Sequence, residues 1–146
     1  MSERLEFIDH ASQTAQKWTK DLAEDLQWVD GHKVFRLLRA TLHAVRDWLQ
    51  VNEAVQLGAQ LPTLIRGVYY EGWKPHATPA KPRSRDAFLT RIGVEMSPEV
   101  VWAIDDAVST VFAFLSRHVS AGEIADVVAG MPADLQALWN RSKTPL

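Results

Sequence analysis

Shifted by 70 residues, the step from Pro62 to Pro132 and from Glu53 to Glu123, the chain falls on itself. Without a gap, Trp18, Leu22 and Leu26 meet Phe88, Ile92 and Met96, and Val34, Leu38, Leu42 and Val45 meet Ile104, Val108, Phe112 and Leu115. The match continues with Leu57, Leu61, Ile65, Val68 and Tyr69 on Val127, Met131, Leu135, Leu138 and Trp139. Polar positions mostly do not repeat. Close packing restrains buried volume far more than solvated side chains, so a duplicated scaffold with diverged surfaces is predicted. The expected fold is all-α: an internally duplicated helical bundle of two pseudo-symmetric units with about four helices each. Unit one covers residues 17–70, a linker 72–84 and unit two 85–140, within a single domain 1–146.

Local pattern predicts the helices. Residues 32–49 put Val34, Leu37, Leu38, Leu42, Val45 and Leu49 at three- and four-residue spacing, with Arg36, Arg39, Arg46 and Asp47 elsewhere. Asp30 is a good N-cap, and Ser97-Pro98-Glu99 predicts the start of the counterpart helix, residues 101–119. Trp102, Phe112 and Phe114 spread apolar surface around that helix, which makes it the expected centre. Ser120 and Glu123 have capping-box spacing, and Pro62 and Pro132 are predicted to begin the short fourth helices. No alternating stretch suggests a strand, and turn residues concentrate in 72–84, around Pro75, Pro79 and Pro82.

Composition sets outer limits. With 146 residues, 47% apolar and 23% charged, the chain can bury a core without covalent staples. A net charge of −2 gives no overall field to draw in nucleic acid or an anionic membrane, so any such binding is local. The absence of cysteine excludes disulfides, thiolate zinc sites and a Cys nucleophile. Glu3 and Glu6 stand where a secretory signal would be basic, and no apolar run approaches the roughly 20 residues of a membrane span. The expectation is a cytoplasmic chain without membrane contact.

The stretch Leu61-Pro62-Thr63-Leu64-Ile65-Arg66-Gly67-Val68-Tyr69-Tyr70-Glu71-Gly72-Trp73-Lys74-Pro75 resembles a hallmark of the bacterial domain-of-unknown-function family numbered 2267. Leu38-Arg39-Ala40-Thr41-Leu42-His43-Ala44-Val45-Arg46-Asp47, Gly58-Ala59-Gln60 and Arg117-His118-Val119-Ser120-Ala121-Gly122-Glu123-Ile124 extend the likeness, as does Met131-Pro132-Ala133-Asp134-Leu135. The resemblance implies a small all-helical bacterial protein and carries over no catalytic residue. It also implies Gly and Leu where this chain has Gln27 and Met131.

Catalytic motifs are missing. There is no Glu-x-x-His or His-Glu-x-x-His for a metal, no Gly-x-Ser-x-Gly nucleophile elbow and no phosphate-cradling glycine loop. Glu6 and His10 share a helical face near a terminus, and His43 and His118 read as packing residues. No catalytic, metal or cofactor-binding residue is therefore expected. Asp105 and Asp106 point about 100° apart on a helix, and Asp105, in the place of Phe35, is expected to pair with an Arg of unit one. The candidate binding set is Arg66, Tyr69, Tyr70, Glu71, Trp73, Lys74, Lys81, Arg83 and Arg85, where aromatic and basic side chains concentrate. It supports a non-enzymatic interaction or structural module, with a protein partner or a second copy bound there. The alternative is anion or nucleic-acid binding through the same basic aromatic segment. In the plainest reading, Tyr69 and Trp73 cover the core, Arg66 pairs with Glu71 and the remaining charges keep the linker solvated.

Overall fold

A computed structural model describes residues 3–141. The regular structure among the described residues is all helical: α1 (Glu6–Leu26), α2 (Gly31–Trp48), α3 (Val51–Ala59), α4 (Thr63–Tyr70), α5 (Arg85–Met96), α6 (Ile104–His118), α7 (Ala121–Ala129) and α8 (Ala133–Arg141). A short 3-10 turn, Pro75–Ala77, interrupts the linker. None of these helices is long and apolar enough to cross a membrane.

The caps behave as local chemistry dictates. The Asp30 carboxylate accepts from the His32 and Lys33 N–H groups at 3.0 and 3.4 Å, and Ser120 Oγ accepts from the Glu123 N–H at 3.2 Å. Pro62 and Pro132 stand immediately before α4 and α8, and the Pro62 carbonyl takes the first helical bond, from Arg66. The last residues of α1 and α5, Leu26 and Met96, follow the step of 70, as do the bounds of α3 and α7.

Ser97-Pro98 corrects an expectation. Ser97 closes α5 and does not open α6, because the Arg36 guanidinium donates to the Met96 and Ser97 carbonyls, both at 3.1 Å, and ties that turn to α2. The next helix begins only at Ile104, after Ala103 at φ 51°, with Asp105 and Asp106 at its positive end. Trp102 lies outside the helix and is 85% exposed, so it adds nothing to the core.

The centre of the bundle is consequently α2, which touches α1, α3, α4, α5 and α6; most of its residues beyond Val34 are buried. The two halves interleave. The most extensive helix pairing is α5 with α2, while α1 lies on α6 and α3 on α7. Trp18 meets Phe114 edge-on at 5.2 Å, Trp48 meets Phe88 at 5.6 Å, and Phe112 stacks on Trp139 at 4.0 Å. One continuous apolar cluster results.

At the end of α1, Gln27 occupies the left-handed region, φ 60° and ψ 36°, while its N–H closes on the Ala23 and Glu24 carbonyls. This is the position where the family resemblance implies Gly, and relief of backbone crowding explains the preference. Gln27→Gly should raise the unfolding free energy by about 1 kcal/mol. A urea midpoint that falls would contradict this account.

Candidate functional site

Two of the motif stretches meet at a buried polar junction. His43 and Arg46, one turn apart on α2, both face the C-terminal end of α4, where four carbonyls lack partners within their own helix. His43 Nε2 donates to the Val68 carbonyl at 2.7 Å, and Arg46 donates to the Tyr69 and Glu71 carbonyls at 2.7 and 2.8 Å. Arg46 also bonds Asp47 through Nε at 2.9 Å. From α5, Arg91 reaches Asp47 at 2.8 Å and Glu95 at 3.0 Å, and Glu95 lies 3.0 Å from His43 Nδ1. The Asp47 carbonyl accepts from the Ala80 N–H at 2.6 Å, anchoring the linker over the same point. These bonds tie α2, α4, α5 and the linker together at one point.

Burial works to raise the Glu95 carboxyl, but hydrogen bonds from His43 and Arg91, reinforced by their charges, outweigh it and hold the group at about 2 against an ordinary 4.5. A carboxyl depressed on folding contributes stability that is complete above the unfolded value and disappears as pH falls through the folded one. Its side chain is 23% exposed, and the contribution is about 3 kcal/mol. Unfolding midpoints should therefore hold above about pH 5 and drop between 4.5 and 2. Glu95→Gln should lower the plateau and flatten the drop; an unaltered acid limb would refute the assignment.

Arginines close other helix ends in the same way. Arg66 donates to the Gly58 and Leu61 carbonyls at 2.9 Å, at the end of α3, and Arg83 donates to the Trp48 and Gly130 carbonyls at 3.2 and 3.1 Å, at the ends of α2 and α7. Arg66 therefore does not pair with Glu71, which lies 4.0 Å from Arg39: the carbonyls of a helix end are nearer and fixed. Asp105 pairs with Arg85 and Arg141, each at 3.4 Å, and not with an arginine of residues 17–70, because α5 and α8 flank it. Arg141 contacts Asp106 as well, bridging two carboxylates that diverge.

The aromatic residues of the candidate set do come together. Tyr69 is fully buried and its hydroxyl donates to the Ala54 carbonyl at 2.7 Å; burial, then the neighbouring Tyr70, pushes the phenol far above its ordinary range. Tyr70 is half-buried, 5.0 Å from Tyr69 and 5.6 Å from Trp73. Its ring covers Gly58, where an added Cβ would lie 2.3 Å from the hydroxyl. Trp73 donates through Nε1 to Thr78 at 3.1 Å. Among the described residues, Lys74 and Lys81 are exposed with neither an ion pair nor a side-chain hydrogen bond, whereas the exposed Arg66 and Arg83 are held by backbone carbonyls. The set thus divides into a packed aromatic corner and arginines assigned to separate helix ends.

From the sequence His43 reads only as a packing residue, and the structure gives it polar partners at both ring nitrogens; Arg46, Arg91 and Glu95 are not among the candidates. Arg46 corrects the placement off the apolar stripe: one turn from both Leu42 and Leu49, it stands on the buried face of α2, where a cation needs fixed partners. Among the described residues no group of three or more His, Asp or Glu side chains is placed to hold a metal.

An unfilled apolar surface lies elsewhere, along α1. A groove of about 800 Å³ runs between α1, the start of α2 and α4, floored by Ala15, Ala23, Phe35 and Leu64 and edged by Lys20 and His32. It continues into a second hollow of about 460 Å³ beside Phe7, Ile8 and Pro62. Phe7 is 72% exposed and Ile8 52%, large apolar side chains near the start of α1. The profile of a family described as "Uncharacterized conserved protein (DUF2267)" matches residues 15–138. No curated protein matches the chain significantly.

Proposed function

The chain belongs to the DUF2267 family of uncharacterised conserved proteins, and from that premise we propose that it is a non-enzymatic helical module that holds a protein partner in the groove along α1. The observation that carries this reading is the exposed apolar lining of that groove, bounded by Lys20 and His32. Contiguous apolar surface of this kind, rimmed by polar groups, marks interaction sites on otherwise well-packed domains. A helical segment with an apolar stripe and acidic flanks fits such a groove by shape and by charge. The contact therefore moves from the Tyr69, Tyr70 and Trp73 corner, whose members are engaged inside the fold, to α1.

The same reading treats the molecule as a duplicated scaffold, α1 to α4 and α5 to α8. Support comes from the step of 70 in the bounds of the third helices and from buried pairs such as Leu38 with Val108 and Tyr69 with Trp139. The alternative, anion or nucleic-acid binding through Lys74, Lys81, Arg83 and Arg85, has less behind it, since Arg83 is bonded to two carbonyls and Arg85 to Asp105.

The absence of native cysteine allows a clean test. An environment-sensitive dye on Thr19→Cys, within the groove, is titrated with a synthetic amphipathic helix bearing an Ile and Phe stripe and Glu flanks. Binding should shift the emission to the blue and weaken with salt. No response, or equal binding of the same peptide with Lys flanks, would dismiss the proposal.

A further inference from the structure

We infer that the groove is filled by the first helix of a second copy of this chain, giving a two-fold symmetric dimer; the inference rests on the interaction reading above. Three observations converge on that occupant. First, α1 has 21 residues whereas α5, its counterpart in the step of 70, has 12, and the excess is residues 6–14. The family match begins at residue 15, so this extension lies outside the shared scaffold. Second, the extension carries the chemistry the groove would accept: Phe7 and Ile8 are exposed, and its first turn is acidic, Asp9 pairing with Arg4 at 2.9 Å and Glu6 standing exposed. Third, the groove edge offers Lys20 and His32 to receive the Glu6 carboxylate.

Knob and groove lie on the same helix, with Phe7 and Thr19 about 18 Å apart along its axis. Two α1 helices laid antiparallel then place each Phe7 and Ile8 over the other's Ala15 and Ala23, and each Glu6 near the other's Lys20. The contact is reciprocal, so it closes as a dimer and leaves no free end to propagate. Antiparallel alignment also opposes the two helix dipoles favourably.

The test is light-scattering mass and sedimentation equilibrium of the full chain over a wide concentration range. The expected result is twice the chain mass, dissociating on dilution. Phe7→Ser with Ile8→Ser should raise the dissociation constant about tenfold or more with helix content unchanged. Lys20→Glu should also weaken association, and adding Glu6→Lys in the same chain should restore it. A dimer indifferent to Phe7 and Ile8 would use another face and overturn the inference. A monomer at every concentration would overturn it too, and the Thr19→Cys titration then judges the broader reading separately: peptide uptake leaves a groove for a different protein, and no uptake removes both.

Discussion

Arg46→Met lowers the unfolding free energy by about 3–5 kcal/mol, the cost of removing one partner from a buried charged network. Arg46 is 2% exposed, and its guanidinium serves the Tyr69 and Glu71 carbonyls and the Asp47 carboxylate at once. The methionine keeps the apolar stem, so packing is largely retained while the buried Tyr69 carbonyl and the part-buried Glu71 carbonyl lose their donor. Arg46→Lys recovers less than half of the loss, because a single ammonium cannot present a planar fork to three acceptors. Urea midpoints at neutral pH measure both effects. A loss below about 1 kcal/mol for the methionine variant would mean that the junction is solvated and not cohesive.

Phe88→Ala, the second large expectation, costs about 3–5 kcal/mol. Phe88 is fully buried, edge-on to Trp48 of α2 and 6.1 Å from Phe112 of α6, so its removal opens a cavity where the two halves interlock. Because α5 rests more on α2 than on α6, the damage is shared. Near-ultraviolet dichroism and amide exchange should both show one cooperative transition at a lower midpoint, with α1 to α4 losing protection together with α5 to α8. Persistent protection of α1 to α4 alone would show that the halves are independently stable.

The apolar lattice of the fold was legible in the chain because it depends on neighbours. Leu38, Leu42 and Val45 announce one face of α2 within two turns, and Asp30 and Ser120 cap the helices they immediately precede. Ser97-Pro98 misled for the same local reason: the dipeptide is a good helix opener, and only Arg36, some 60 residues earlier, makes it the end of one. The expected pairing of Arg66 with Glu71 failed for a different reason. Aromatic and arginine side chains concentrate both at interfaces and at buried corners, and sequence proximity of Arg66 and Glu71 said nothing of the Gly58 carbonyl waiting beside Arg66.

What the sequence determined by itself was therefore the existence, order and buried faces of the helices, since periodicity and caps act over a single turn. The destinations of the charged side chains belonged to the tertiary structure: Arg46 to a helix end 23 residues away, Arg83 to carbonyls of two different helices, Asp105 to arginines on α5 and α8. So did the seating of α5 on α2 and the open groove beside α1. A long cation finds its partner only after distant backbone has been brought within about 3 Å, and a groove exists only between helices already placed.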